Sequence, residues 1–268
     1  MNNILTKEQI DKRAVYFYVA CMAIFAYRFL SNTLFSQLIQ PVLINPSIDN
    51  TYWLLHLLGI PYFTTHSVIG SAFLDLLLFA LPVVVIMTPQ RRPFAVLFTI
   101  LAVIYQVTIS TYSMHHYHSL IGLIILSVPF WFEGQRFTML WQAARYYLFF
   151  IFTSAAIWKL CRGSVFVEGD MSTILMSQHA QYLYDYPSAY LAQIRSYLIS
   201  HPQQSQWLLI GTMLMQLSFA GGFLTRRFDR FYIAMTILFF TANFVVMHIF
   251  SFELLILCFA LWPDEQAV

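Results

Sequence analysis

Arg145 and Lys159 are the residues in this chain best placed to do chemistry, because both stand on an apolar stretch that should exclude charge, Trp141 to Leu160. Fourteen residues separate them, which on a helix brings them within about 40° of each other on one face. Trp141 and Trp158 lie about 26 Å apart at the helical rise, close to the hydrocarbon thickness of a bilayer, so the spacing predicts a spanning helix with an aromatic belt at each end. Ionisable side chains inside a span are costly, which makes them candidates for a functional role. The plainer alternative is that both side chains snorkel to the headgroups.

The elements that must position these residues are apolar helices. Of 268 residues, 59% are hydrophobic and only 10% charged, and the mean hydropathy is +0.67, which an ordinary water-exposed surface could not sustain. The expected fold is all-α, a polytopic membrane helix bundle in a single domain over residues 1–268. Eight spans are read at about Ala14 to Phe35, Ser67 to Met87, Phe94 to Thr111, Ser119 to Phe132, Trp141 to Leu160, Trp207 to Leu224, Phe231 to Met247 and Ile249 to Trp262. If they alternate, Lys7, Lys12, Arg13, Arg91, Arg92, Arg136, Arg226, Arg227 and Arg230 share one side, against Arg162 and Arg195 on the other. The positive-inside rule then predicts an inner-membrane protein with both termini in the cytoplasm and Lys159 facing outward. No cleavable leader is expected, since polar residues Met1 to Arg13 run straight into a full-length span.

Two long outer loops follow from this topology, Ser36 to His66 and Cys161 to Gln206. The second carries Tyr190, Leu191, Ile194 and Leu198 at amphipathic spacing, which predicts a helix lying on the membrane after Pro187. Pro82 is expected to kink the second span. Net charge is only +2 and dispersed, so nucleic acid is not an expected partner, whereas membrane lipid is. Cys21, Cys161 and Cys258 lie far apart in sequence without a C-x-x-C, which supports neither a disulfide framework nor a zinc site.

Other polar residues fall inside the expected spans. Arg28 and Asp75 sit at a similar depth, about 10 to 12 Å from the outer ends of the first two spans, and are predicted to form a structural ion pair. His115, His116 and His118 cluster at a helix end without a carboxylate, so a turn is expected there and no metal. Asn243, His248 and Glu253 recur at intervals of five, a spacing that does not align them on one helical face. Glu253 within a span is a candidate partner for a cation or a proton carrier.

Several of these residues fall in an order that carries further. The run from Arg145 through Phe152, Lys159-Leu160 and Val167-Glu168-Gly169, followed by Gln216-Leu217-Ser218, Gly222-Phe223-Leu224, Asn243 and the closing Phe252 to Trp262, resembles the vitamin K-dependent gamma-carboxylase-like membrane domain, also called the horizontally transferred transmembrane domain. The likeness extends more loosely to His118-Ser119 and covers most of the chain, with Phe240 where the family carries a histidine. It implies an integral membrane enzyme with a reduced quinone as cofactor, Lys159 as the base that deprotonates it, and Arg145, Glu168, His118 and Asn243 around substrate or quinone. A small peptide modified at the outer face would be the partner. The sporulation-delaying-protein B branch of the same family implies instead a membrane factor for maturation, export or immunity of a secreted peptide toxin. A small transporter, suggested by Arg28, Asp75 and Glu253, is the third reading.

Overall fold

The computed structural model describes residues 4–38, 57–111, 120–247 and 252–262. Among them the chain forms α-helices and short 3-10 segments and no strand. The long apolar runs account for this, since a backbone that is to lie in lipid must satisfy its hydrogen bonds within each segment.

The chain divides into two compact units, 1–144 and 145–268. The first holds α1 (Lys7–Leu30), α2 (Ile60–Thr65), α3 (Val68–Met87), α4 (Arg92–Thr111) and α5 (Ile121–Ser127), with 3-10 turns at Phe35–Gln37 and Val128–Trp131. The unit boundary falls inside α6 (Gly134–Arg162), a single continuous helix of 29 residues. The second unit continues with α7 (Asp170–Asp185), α8 (Tyr190–Ser200), α9 (Pro202–Ser218) and α10 (Asp229–Met247), and closes with a 3-10 helix, Phe252–Leu261.

Among the described residues, four helices are long and apolar enough to cross a membrane: α1 continued to Gln37, α3, α4 and α10. Only 17% of the apolar window of α10 is buried and 33% of that of α3, so most of their apolar surface faces outward. Ile69, Phe73, Leu76, Ile237 and Leu238 are all exposed. Such continuous apolar exposure is stable against lipid and not against water. The protein is accordingly membrane-associated.

Local signals set the helix ends. Thr6 and Gln9 form a reciprocal capping box at the start of α1, with Thr6 Oγ1 accepting from the Gln9 N–H at 3.3 Å and Gln9 Oε1 accepting from the Thr6 N–H at 2.9 Å. Helix α3 passes through the buried Pro82 without interruption. Gly163 ends α6 in the left-handed region at φ 74°, its N–H donating to the Leu160 carbonyl, a conformation that a side chain would disfavour.

The core of the first unit is aromatic. Tyr18 packs edge-on to Phe98, Phe17 stacks on Phe130, and Trp141 stacks on Phe137 with their centroids 5.6 Å apart. Trp141 is therefore a packed residue with the Arg13 guanidinium over its ring, and not the exposed half of a pair of belts. Trp158 is 62% exposed.

The stretch 161–206, expected as a loop, holds more structure than its sequence suggests. The amphipathic helix expected after Pro187 is present as α8, and a further helix, α7, precedes it. Most of the Ser36 to His66 loop and the His115 to His118 cluster lie outside the described residues.

Candidate functional site

Helix α6 supplies the cations, and each has a partner of a different kind. Arg145, 3% exposed, is bidentate to Asp229 at the start of α10: Nε donates to Oδ2 at 3.0 Å and Nη2 to Oδ1 at 2.8 Å. Nη2 also donates to the Thr225 carbonyl at 2.8 Å, and the guanidinium lies over the Phe149 ring at 4.7 Å. This fork geometry suits carboxylate recognition and commits Arg145 to binding α10 to α6. The adjoining chain is equally close: a Cβ on Gly222 would lie 2.3 Å from the Phe149 ring, so only glycine fits there.

Lys159 lies in the last turn of α6. Its Nζ donates to Oε1 of Gln216 on α9 at 2.5 Å, and Gln216 is itself 3% exposed. The setting is apolar. Ala156, three residues before the lysine, belongs to a cluster with Val165, Met171, Leu175, Leu209 and Met213, against which Leu160 and Leu217 also pack. The amine is thus held by a neutral amide, and residues next to both partners pack into that apolar cluster. Its partner is available to either protonation state, because a neutral amine keeps N–H donors for the amide carbonyl.

The structure does not bond the other expected site residues to this amine. Glu168 is exposed in the turn before α7. The Asn243 side chain, half-buried on α10, makes no hydrogen bond among the described residues, although Val246 and Met247, one turn further on, pack against the cluster that holds Ala156. His118 lies outside the described residues. Phe240 is buried with its ring edge-on to Phe152, and Glu253 is fully buried in the closing 3-10 helix.

The expected pair of Arg28 with Asp75 does not form. Both are buried, but the Asp75 carboxylate accepts from the backbone N–H groups of Phe35 at 2.9 Å and Ser36 at 3.0 Å. It caps the 3-10 turn after α1. Helix-start amides are obligatory donors without a partner inside the turn, and they compete with a guanidinium for a buried carboxylate.

A second basic group was hidden from the sequence. Arg195 on α8, 0% exposed, donates from Nη2 and Nε to the Val245 carbonyl at 3.1 and 3.3 Å, and lies over the Tyr182 ring at 4.9 Å. Burial pushes its guanidinium down from the ordinary value while Tyr182 pulls it up; arginine starts so high that it stays charged. The buried His179 on α7 donates from Nε2 to the next carbonyl, Val246, at 3.1 Å. Together they cap the C-terminal carbonyls of α10, where a positive charge also complements the helix dipole. The hint available in sequence was an arginine inside the amphipathic run Tyr190 to Leu198.

Among the described residues, no three His, Cys, Asp or Glu side chains converge as a metal would require. No family model matches the chain, and no curated protein or solved structure matches it either.

Proposed function

We propose that this chain is an integral membrane protein in which Lys159, held by Gln216, accepts a proton from a reduced quinone drawn from the bilayer, in support of the modification of a small peptide at the outer face. The observation that carries this reading is the Lys159 to Gln216 hydrogen bond, beside an apolar cluster that takes in Ala156 and Met213, three residues before the lysine and the glutamine respectively. The likeness of Arg145 to Gly169 and of Gln216-Leu217-Ser218 to the gamma-carboxylase-like membrane domain supports it further.

The residues suit such a cofactor. A hydroquinone has an apolar ring and acidic O–H groups, and it asks of its site an apolar wall and a proton acceptor. Bound there, it would supply the reducing electrons that no side chain in the cluster can. Lys159 takes the proton at Nζ. Gln216 fixes the amine's direction, and Ala156, Leu160, Met213 and Leu217 keep water away. Arg145 is a positioning residue in this scheme, because its Nε and Nη2 are committed to Asp229 and Thr225.

The accompanying topology has eight spans, both termini cytoplasmic, and the Lys159 end of α6 outward in the inner membrane. Helix α6, at 29 residues, is about 44 Å long, enough for the hydrocarbon core and both headgroup layers. A membrane factor for a secreted peptide toxin is the second reading, favoured by the absence of any bond from Glu168 or Asn243 to the lysine. Mass spectrometry of lipids extracted from the detergent-purified protein separates the two. The first reading expects a quinone retained by wild type and lost in Gln216→Leu; a wild-type protein that retains none contradicts it.

A further inference from the structure

A cavity of about 290 Å³ opens in the first unit where the start of α1 meets the turn between α3 and α4. Its lining is mixed, combining the charged Lys7, Asp11 and Arg91 with the apolar Val15, Ile86 and Met87.

The charged lining carries two cations against one carboxylate, a net charge of one positive. Arg91 Nη2 donates to Asp11 Oδ1, which uses one of the five N–H donors of the guanidinium. Among the described residues nothing holds the Lys7 ammonium. A group with a single negative charge and several acceptor oxygens would neutralise this lining, and a phosphodiester meets both requirements.

The apolar lining continues past the cavity. Val15 and Met87 are exposed, and so are Val19 and Val83, one turn further on the same faces of α1 and α3. Two apolar strips therefore lead from the cavity along helices long and apolar enough to lie in a membrane. A soluble phosphate would have no use for these strips, whereas an acyl chain would. The volume suits a headgroup and not a whole lipid.

We propose that this cavity binds the phosphodiester headgroup of an anionic glycerophospholipid, with Lys7 and Arg91 on the phosphate and the acyl chains along Val15–Val19 and Met87–Val83. A zwitterionic headgroup fits less well, because it brings a second cation to a lining that is already net positive. The inference is independent of any role for Lys159.

Native mass spectrometry of the full chain in detergent, titrated with phosphatidylglycerol or phosphatidylcholine, tests it. Phosphatidylglycerol should be retained more strongly, and Lys7→Gln should weaken that retention about fivefold, the usual effect of one basic residue near an anionic lipid surface. Lys7 is exposed, so its loss should leave the circular dichroism unchanged; Arg91→Gln, which also breaks the Asp11 pair, should weaken retention at least as much. Equal retention of the two lipids, or Lys7→Gln retaining phosphatidylglycerol as wild type does, would overturn the proposal. Complete displacement of the lipid by millimolar glycerol phosphate would overturn it too, since the ligand would then be the soluble phosphate.

Discussion

Arg145 and Lys159 leave the same helix about 21 Å apart along its axis, and their surroundings differ in kind. Arg145 meets a carboxylate, a carbonyl and an aromatic face, so its charge is balanced and three of its five donors are engaged. Lys159 meets one neutral amide, and its neighbours Ala156 and Leu160 pack in an apolar cluster. A cation sealed by an anion is a fastening, because losing either partner strands a buried charge. A cation held by a neutral group can change its protonation state without doing so. Two basic residues that look alike in the sequence are thus suited to different work.

The largest effect should come from breaking the fastening. Arg145→Ala or Asp229→Ala alone should cost about 3–5 kcal/mol and sharply lower the folded yield, while Arg145→Met with Asp229→Leu should recover much of it. Fluorescence-detected size exclusion of the three variants measures this. Additive losses would mean that the pair is not the fastening described. A smaller effect of the same origin is expected at Gly222, where a methyl group would collide with Phe149. Gly222→Ala should cost about 1–3 kcal/mol as overpacking, visible as a lower unfolding temperature in detergent.

What the sequence made legible follows from the range of each signal. Apolar runs are local, so the all-helical fold was legible, although among the described residues only four helices are long and apolar enough to cross a membrane where eight spans were expected; the amphipathic spacing after Pro187 does become α8. Helix α7 was missed although Met171, Ile174, Leu175 and Tyr182 recur at helical spacing, because Ser172, Gln178 and His179 break up the apolar run. Cross-helix partners were not legible: Asp229 lies 84 residues from Arg145 and Gln216 lies 57 from Lys159. Gln216 stood in the family-like run Gln216-Leu217-Ser218, yet nothing in spacing tied it to the lysine. Matching depths suggested Arg28 for Asp75, but depth takes no account of backbone donors, and two amides took the carboxylate. Arg195 counted as an outer-side charge in the topology, whereas it is buried on the end of α10.

The contrast along α6 rests finally on Lys159 being a proton acceptor and not a second anchor. Arginine can keep the hydrogen bond to Gln216 and reach the headgroups, but it cannot give up its proton near neutral pH. The direct measurement is oxygen uptake by purified protein supplied with a reduced naphthoquinone, comparing wild type with Lys159→Arg at matched unfolding temperature. Uptake above the protein-free rate in wild type and at that rate in Lys159→Arg is the expected result. An arginine variant as active as wild type would contradict the account and reduce Lys159 to an anchor like Arg145.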